Sequence, residues 1–300
     1  MQISDPITNL PLSHVADIEN SEDRVAIELK YPVTAEMRSM YHDLYKNKTL
    51  DLKTSIPEFI DSKIKNIKNT IAIFAGKGGV GKSTISASIA LDLAKTGARV
   101  GLMDADLYGP SQHLIFNVKI SDQHDEPVLV NDLWLQSIGK IVESEQPLIW
   151  RGPMASKNLI QIIQTTKWPE LDYLIIDLPP GTGDLLLTAF RDLRITGAVG
   201  VMQPSKYSQQ ELNRSKTMLN KLKIKNIGTV LNMTHINCEC GKKHLLGQSY
   251  EHEEFIARVP LMVKEEAFNS PSISGIGIKV AAMLAASYRN ANINYNLVGK

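Results

Sequence analysis

The stretch Ile71–Thr84, IAIFAGKGGVGKST, runs from an apolar segment through a glycine-rich turn into the start of a helix. Gly76, Gly81, Lys82 and Ser83 occupy the fixed positions of the pattern GxxxxGK[ST]. Glycines let successive backbone N–H groups converge, a helix N-terminus adds the positive end of its dipole, and the lysine adds a full charge. The stretch therefore predicts a loop that binds a nucleoside triphosphate, with the serine hydroxyl on Mg²⁺.

The sequence on both sides of this loop has the periodicity that the motif requires. Residues 70–75 are apolar enough for a buried strand, and Ile85, Ile89 and Leu93 recur at helical spacing before Gly97. Further apolar runs predict strands at residues 99–103, 132–138, 173–176, 198–202 and 226–231. Alternation of strands and helices predicts an α/β fold, a P-loop NTPase whose mostly parallel sheet is covered by helices on both faces.

One helix start is marked by its own local pattern. Ser208 and Glu211 have the spacing of a capping box, which predicts a helix that begins at Ser208. Leu212, Leu219 and Leu222 would then share one face of that helix.

The first fifty residues predict a small α+β unit before the ATPase domain. Residues 25–31 alternate between apolar and polar side chains as a half-buried strand does, and residues 34–45 have the apolar face of a helix. The lysine-rich residues 51–69, which include Pro57, predict a linker with a short helix. The predicted domains are therefore residues 1–50, a linker at 51–69, and an ATPase domain at 70–300.

Composition narrows the possible classes of function. The chain has 33 basic and 32 acidic residues, so its net charge is close to zero. This balance does not favour nucleic acid as the main partner. Residues 1–10 lack the pattern of a signal peptide, and no apolar run is long enough to cross a bilayer. Cys238 and Cys240 are the two cysteines, which excludes a disulfide framework. We therefore expect a cytoplasmic protein without stable membrane insertion, in a reducing compartment that permits metal chemistry.

Lys77, the second residue of GKGGVGKS, indicates one group of proteins among those that have such a phosphate-binding loop. The loop resembles that of the deviant Walker A ATPases, which include nitrogenase iron protein, the cell-division and plasmid-partition ATPases, and the Mrp-type iron-sulfur cluster carriers. In that group this lysine reaches across a homodimer to the nucleotide of the partner, so the resemblance implies a homodimer gated by ATP. A solvated loop lysine is the alternative.

Acidic residues follow two of the predicted strands at the edge where sites of open α/β sheets lie. Asp104 and Asp106 come after the second strand and precede Gly109–Ser111, which matches the first switch region of the family. The resemblance implies that Asp106 positions the attacking water and that Asp104 lies near Mg²⁺. Asp177 ends a run that predicts a strand buried on both faces, and it matches Walker B, which would hold Mg²⁺ through water. Ordinary acidic residues in a solvated turn are the alternative for the first pair.

The second switch would be residues 179–184, PPGTGD, with the Gly181 N–H able to reach the γ-phosphate. By the same resemblance, Asn232 would contact adenine together with a loop at Pro260, although a plain turn asparagine is the alternative. Lys77, Lys82 and Asp106 are the expected catalytic residues. The expected nucleotide contacts are Gly76, Lys77, Gly78, Gly79, Val80, Gly81, Lys82, Ser83, Thr84, Gly181 and Asn232, and the expected Mg²⁺ ligands are Ser83, Asp104 and Asp177.

Two further segments resemble the Mrp-type group. PLIWRGPM at residues 147–154 matches a segment specific to that group, although nothing in the residues themselves explains Arg151. DPIT at residues 5–8, followed by IELKYPVTAEM, resembles a MIP18-type domain in truncated form. This unit has no cysteine, so we assign it no metal and expect a docking or regulatory appendage.

The cysteines Cys238 and Cys240 lie where Mrp-type carriers have two cysteines spaced CxxC, although the spacing here is CxC. A dimer that presents two thiolates from each chain supplies the four that an iron-sulfur cluster uses. The resemblance thus implies a slow ATPase that carries a 4Fe-4S cluster at its homodimer interface and transfers it to apo iron-sulfur proteins. Lys242 and Lys243 would keep the thiolates reactive.

Other interpretations of the cysteine segment stay open. His235, Cys238, Cys240 and His244 could form one structural zinc site within the chain, or the two thiols could be inert. For the whole protein, the alternative is a localisation switch that resembles the cell-division and partition ATPases. The neutral charge and the polar end of the chain argue against that switch.

Overall fold

The computed structural model describes residues 3–119, 125–139, 153–181, 183–238, 240, 242–250, 253–262 and 267–289. The strands within these ranges are β1 (Ala16–Asn20), β2 (Arg24–Leu29), β3 (Thr49–Thr54), β4 (Ile67–Phe74), β5 (Val100–Asp104), β6 (Val128–Val130), β7 (Leu133–Ser137), β8 (Leu171–Asp177), β9 (Gly197–Met202), β10 (Asn226–Leu231), β11 (His235–Asn237), β12 (Lys243–Leu245) and β13 (Ala257–Arg258). The α-helices are α1 (Ala35–Leu44), α2 (Lys82–Ala94), α3 (Gln112–Ile115), α4 (Pro153–Thr165), α5 (Asp184–Asp192), α6 (Lys206–Lys221) and α7 (Ile276–Arg289).

The main sheet is built around β4, the strand that leads into the glycine-rich loop. In the described part of the chain its strand order is β13-β10-β9-β4-β8-β5-β7-β6. All neighbouring strands are parallel except β6, which pairs antiparallel with β7 at one edge. The carboxyl ends of β4, β5, β8, β9 and β10 therefore meet along one edge, and the mostly parallel sheet expected from the sequence is confirmed.

Side chains of β4 alternate between two hydrophobic cores, one on each face of the sheet. Ile71 and Ile73 pack on the face covered by α2 and α7, and Ala72 and Phe74 pack on the face covered by α4, α5 and α6. All four side chains are fully buried. A strand covered on both faces has no need for polar alternation, which explains its continuous apolar run.

The N-terminal segment forms a three-stranded sheet, β1-β2-β3, with α1 lying between β2 and β3 in the chain. Asp5 is fully buried and accepts hydrogen bonds from the Tyr31 and Tyr41 hydroxyls. Apolar residues of this segment belong to the same core as α2 and α7, and Arg289 of α7 pairs with Asp17 at 2.6 Å. The segment thus packs directly against the ATPase fold, while its separate folding stays a prediction.

Three sequence-based expectations need revision here. The predicted linker at residues 51–69 overlaps β3, because residues 49–54 pair in parallel with β2 and so extend the small sheet beyond residue 50. The described residues between β3 and β4 contain no helix, and β4 begins at Ile67, three residues earlier than predicted.

Part of one predicted segment lies outside the described residues. In the segment at residues 147–154, this applies to positions 147–152, which include Arg151.

The described helices differ in length and apolar character from membrane-spanning helices. No helix among the described ranges combines the length and apolar character needed to cross a bilayer.

Candidate functional site

The phosphate loop connects the carboxyl end of β4 to the N-terminus of α2. Gly81 is the N-cap of α2 and has φ +83°, and Gly79 has φ +75°. An added Cβ at Gly81 would lie 2.2 Å from Asn232 Nδ2, so neither the backbone conformation nor the space admits another residue. The predicted strand, loop and helix are confirmed, and the Gly78 and Gly79 positions face open space with nothing closer than 3.9 Å to an added Cβ.

Lys82 is the charge centre of this loop. Its ammonium lies 2.6 Å from Asp177 Oδ1 and 3.4 Å from Asp106 Oδ2, and only 6% of the side chain is exposed. Burial lowers the pKa of this ammonium, but the Asp177 and Asp106 carboxylates outweigh that effect and the net shift is upward. The structure thus brings together three of the predicted site residues, from the phosphate loop, the first switch and Walker B.

Asp104 has a different environment from Asp106. Its Oδ2 accepts hydrogen bonds from the backbone N–H groups of Ser111 and Gln112 and from the Ser137 hydroxyl, at 2.9–3.0 Å. Burial and the negative charge of Asp177 raise its pKa to about 7. Asp104 therefore anchors the segment that begins α3, whereas Asp106 faces the lysine of the phosphate loop.

Gln112 is a site residue that the sequence did not reveal. Its side chain is fully buried, and its Nε2 donates to the Ser83 carbonyl at 3.0 Å and to Asp177 Oδ2 at 2.9 Å. Ser86 donates to the other Asp177 oxygen at 3.0 Å. The Walker B carboxylate is thereby held from α2 and from α3 at once.

The second switch contacts the phosphate loop through its backbone. The Gly181 N–H donates to the Ala75 carbonyl at 2.8 Å, and Gly181 has φ +102°. Its role as a donor to the γ-phosphate stays a prediction. Thr182 lies outside the described residues.

Asn232 joins the end of β10 to the phosphate loop. Its Nδ2 donates to the Val80 carbonyl at 2.9 Å, and its Oδ1 accepts from the Met233 N–H at 2.9 Å. The neighbouring Thr234 N–H donates to the Val259 carbonyl, which places the segment before Pro260 alongside. The two predicted base-contacting segments are therefore adjacent, and their contact with adenine stays a prediction.

The remaining predicted loop residues lie at the surface of the site. Lys77, Ser83 and Thr84 are half-exposed, and Gly76 packs so closely on α6 that an added Cβ would meet the Glu211 carbonyl carbon at 2.3 Å. Lys77 is thus free of the buried cluster around Lys82.

The cysteines lie on a short hairpin formed by β11 and β12. The Cys238 N–H donates to the Lys242 carbonyl at 2.9 Å, which closes the hairpin, and Cys240 lies in the connection between the strands. Cys238 is half-buried and Cys240 is exposed. Hydrogen bonds from the Cys238 thiol and from the Lys242 backbone lower the pKa of the Cys240 thiol. The sulfur that is most accessible is therefore also shifted toward the thiolate.

The register of the hairpin bears on the zinc alternative. Ile236 pairs with His244, and His235 pairs with Leu245. Paired residues share a face and successive residues alternate, so His235 and His244 lie on opposite faces of the ribbon. Within the described residues there is no group of three or more His, Cys, Asp or Glu side chains that could hold a metal ion. The structure does not bring the four proposed zinc ligands together.

The residues that follow β12 of the cysteine hairpin are hydrogen-bonded to the segment between β9 and α6. The Gln248 N–H donates to the Pro204 carbonyl at 2.9 Å, and Gly247, with φ +73°, passes so close that an added Cβ would lie 2.1 Å from the same oxygen. The adjacent Gln203 donates through its side chain to the Gly79 carbonyl of the phosphate loop at 2.9 Å. The cysteine hairpin and the phosphate loop are therefore connected through two hydrogen bonds and the Gln203–Pro204 segment between them.

The oxygen atoms at the carboxyl edge suit Mg²⁺. Ser83 offers a hydroxyl and Asp177 a carboxylate, and both are oxygen ligands, the type that Mg²⁺ prefers. Beside them the Gln112 Oε1 is buried and has no hydrogen-bond partner among the described residues. The residues present fit an MgATP site.

Comparison with known proteins agrees with this geometry. Residues 66–266 match the ParA family, described as NUBPL iron-transfer P-loop NTPase. The chain belongs to this family. The match covers the whole run from β4 to the segment after β13, and so includes both the phosphate loop and the cysteine hairpin.

The chain is also similar to proteins named iron-sulfur cluster carrier protein. The chain is 39% identical to that of Pseudomonas fragi over 224 residues, which are 69% of this chain and 78% of the relative. It is 38% identical to that of Escherichia coli K12 over 216 residues, which are 67% of this chain but only 58% of the relative. The chain therefore spans little more than half the length of some relatives that it matches.

Solved structures support the fold. A nucleotide-binding protein of Archaeoglobus fulgidus in complex with ADP is 30% identical, with a TM-score of 0.54, and covers 73% of this chain and 90% of its own. The septum site-determining protein MinD of Pyrococcus horikoshii, complexed with Mg-ADP, is 17% identical with a TM-score of 0.50 and covers 77% of this chain and 99% of its own. The second likeness concerns the fold alone.

Proposed function

We propose that this chain is a Mg²⁺-dependent ATP hydrolase that carries an iron-sulfur cluster and delivers it to apo iron-sulfur proteins. The observation that carries the proposal is the pair of cysteines, one half-buried and one exposed, on a hairpin that is hydrogen-bonded to the segment contacting the phosphate loop. The name shared by the relatives in this family, iron-sulfur cluster carrier protein, supports the same cargo. The cluster is cargo, whereas ATP and Mg²⁺ serve the ATPase site.

In the proposed ATPase reaction, Gly76–Thr84 and Gly181 surround the phosphates, and Asn232 contacts the base. Mg²⁺, held by the Ser83 hydroxyl and by Asp177 through water, would neutralise charge on the phosphates. Lys82 adds its ammonium to that charge balance. Asp106, which lies 3.4 Å from Lys82, orients the attacking water. Asp104 would lie near the metal, and it accepts hydrogen bonds from the Ser111 and Gln112 backbone and from the Ser137 hydroxyl.

A homodimer completes the proposed site. Lys77, half-exposed at the tip of the phosphate loop, reaches the nucleotide of the partner subunit. Large apolar side chains support an interface at the carboxyl edge of the sheet: Tyr108 is 71% exposed, Tyr207 79% and Leu245 70%. Tyr108 follows β5, Tyr207 lies in the first turn of α6 and Leu245 ends the cysteine hairpin. Exposed apolar groups concentrated around a site are typical of an interaction surface.

The cluster would bridge the two subunits. Cys238 and Cys240 supply two thiolates from each chain, which gives the four ligands of a 4Fe-4S cluster. The hydrogen bonds that lower the pKa of the Cys240 thiol favour ligand exchange, and transfer to an acceptor requires such exchange. A cytoplasmic location suits this chemistry because a reducing compartment keeps both thiols free. Residues 1–50 would then serve for docking or regulation.

Anaerobic reconstitution with iron and sulfide tests the proposal. Wild-type protein should become coloured and hold about one cluster per dimer, by absorption and iron analysis. Cys238→Ser and Cys240→Ser should each lose the cluster, because a hydroxyl is a poor ligand for soft iron-sulfur centres.

His244→Ala is the matched control on the same hairpin and should retain the cluster. A colourless protein that binds about one zinc per chain and loses it in His235→Ala or His244→Ala would overturn the carrier function and leave the ATPase standing.

A further inference from the structure

The Gln112 side chain has a fixed orientation inside the phosphate site. Its Nε2 contacts two acceptors, the Ser83 carbonyl at 3.0 Å and Asp177 Oδ2 at 2.9 Å. Exchanging the amide nitrogen and oxygen would place an acceptor against both of these oxygens, which would be repulsive. The hydrogen-bond network therefore defines which end of the amide is the oxygen.

The amide oxygen of Gln112 is buried beside the residues expected to hold the metal. Gln112 is fully buried, and its Oε1 has no hydrogen-bond partner among the described residues. A buried acceptor that stays unpaired destabilises the folded protein, so a donor at this position would be stabilising. The same amide already contacts the two residues expected to hold Mg²⁺, namely Ser83 and Asp177. A water molecule bound to that ion is polarised by the charge and is a strong donor.

We propose that Gln112 positions the metal of the ATPase site, with its Oε1 accepting a hydrogen bond from a water on Mg²⁺ while its Nε2 holds Asp177. This inference rests on the proposed MgATP function. It adds a residue of the first switch segment to the binding of the metal. Because Asp104 fixes the start of α3 through the Gln112 N–H, the metal, Walker B and the first switch become one connected unit.

A purely structural role for Gln112 makes a different prediction. If the amide only joins α3 to Asp177, its loss would destabilise the protein equally with and without metal. If Oε1 binds the metal water, its loss would weaken metal affinity beyond any effect on the metal-free protein.

The test compares Gln112→Met, which keeps the length of the side chain but removes the amide, with Gln161→Met on the exposed surface of α4. Mn²⁺ replaces Mg²⁺, and the electron paramagnetic resonance signal of the free ion gives its dissociation constant at saturating ADP. ADP affinity and the unfolding midpoint are measured in EDTA. We expect roughly tenfold weaker Mn²⁺ binding in Gln112→Met, as the loss of one charge-assisted hydrogen bond gives, and wild-type binding in Gln161→Met.

Each outcome decides between the two roles. Mn²⁺ affinity within twofold of wild type in Gln112→Met would overturn the proposal, whether or not the unfolding midpoint falls. If Gln112→Met does not fold, Gln112→Asn, which keeps an amide but is one methylene shorter, should still show weaker metal binding, and unchanged metal binding would again refute the idea. Failure of the wild type to bind ADP with Mn²⁺ would instead refute the ATPase function itself.

Discussion

Replacing Lys82 by alanine is expected to destabilise the protein even with no nucleotide present. The Lys82 ammonium lies 2.6 Å from Asp177 and 3.4 Å from Asp106, and the Asp177 side chain is fully buried. Removing one partner of a buried ion pair leaves an uncompensated charge and costs about 3–5 kcal/mol. Nucleotide affinity should be lost as well, since the same ammonium is the charge centre of the phosphate loop.

Urea denaturation followed by far-ultraviolet circular dichroism measures this effect at pH 8. Lys77→Ala is the matched control, because it removes a lysine from the same loop that is half-exposed and outside the buried cluster. It should change stability by less than about 0.5 kcal/mol. The double variant Lys82→Ala/Asp177→Asn should regain part of the loss, since the remaining charge is removed.

The penalty in Lys82→Ala should also depend on pH. Asp104, whose pKa burial and the Asp177 charge raise to about 7, takes up a proton first as the pH falls. A proton in the cluster offsets the missing cation, so the difference from wild type should narrow between pH 8 and pH 6. A Lys82→Ala protein within 1 kcal/mol of wild type at pH 8 would refute the view that this ion pair is buried and uncompensated.

Asp106→Ala should retain ATP binding and lose turnover, measured by phosphate release; wild-type turnover would assign water positioning to another residue. Gly247→Ala should speed amide hydrogen exchange at Gln248 without changing ATP affinity, because its Cβ would lie 2.1 Å from the Pro204 carbonyl oxygen. Gly97→Ala, which has a similar φ but open space, is its control, and equal exchange in both would contradict the close contact. Burial raises the pKa of Asp92 to about 6, so wild-type stability should fall as the pH rises from 4 to 6. Asp92→Asn should weaken that dependence, leaving the part that Asp104 contributes through its own raised pKa. The variant should be more stable at pH 7 by about 1–3 kcal/mol in thermal unfolding, and an unchanged pH profile would exclude Asp92 as a source.

The phosphate loop was predictable because its local and long-range requirements coincide. Residues 71–84 have a buried strand, glycines at the positions of positive φ, and a helix start in direct succession, and each is visible in a short window of sequence. The start of α6 was harder to predict from the sequence. The N-cap is Ser205, which accepts from the Ser208 N–H, whereas Ser208 lies inside the helix and its hydroxyl accepts from the Gln203 N–H. The predicted start was therefore wrong by one turn, because two serines compete for the same role.

Other features depend on partners that are distant in sequence. Strand β3 is stabilised by β2, its parallel neighbour in the small sheet. Leu50 and Leu52 alternate with polar residues, so this run also has the local pattern of a short half-buried strand, which the predicted linker left out. Gln112 reaches Ser83 and Asp177 from the other side of the site. A glutamine after Gly109–Ser111 has no local pattern that would mark it as part of the site.

The closure of the cysteine hairpin has a consequence for how its ligand spacing can evolve. The bond from the Cys238 N–H to the Lys242 carbonyl closes a loop of five residues, and those of the five that the structure describes lie outside the strands of the main sheet. One residue inserted between the cysteines would lengthen this loop at an entropic cost of about 0.2 kcal/mol. The register of β11 and β12 and the attachment at Pro204 would stay as they are. Natural selection could therefore vary the distance between the two sulfurs almost independently of fold stability and of the ATPase site.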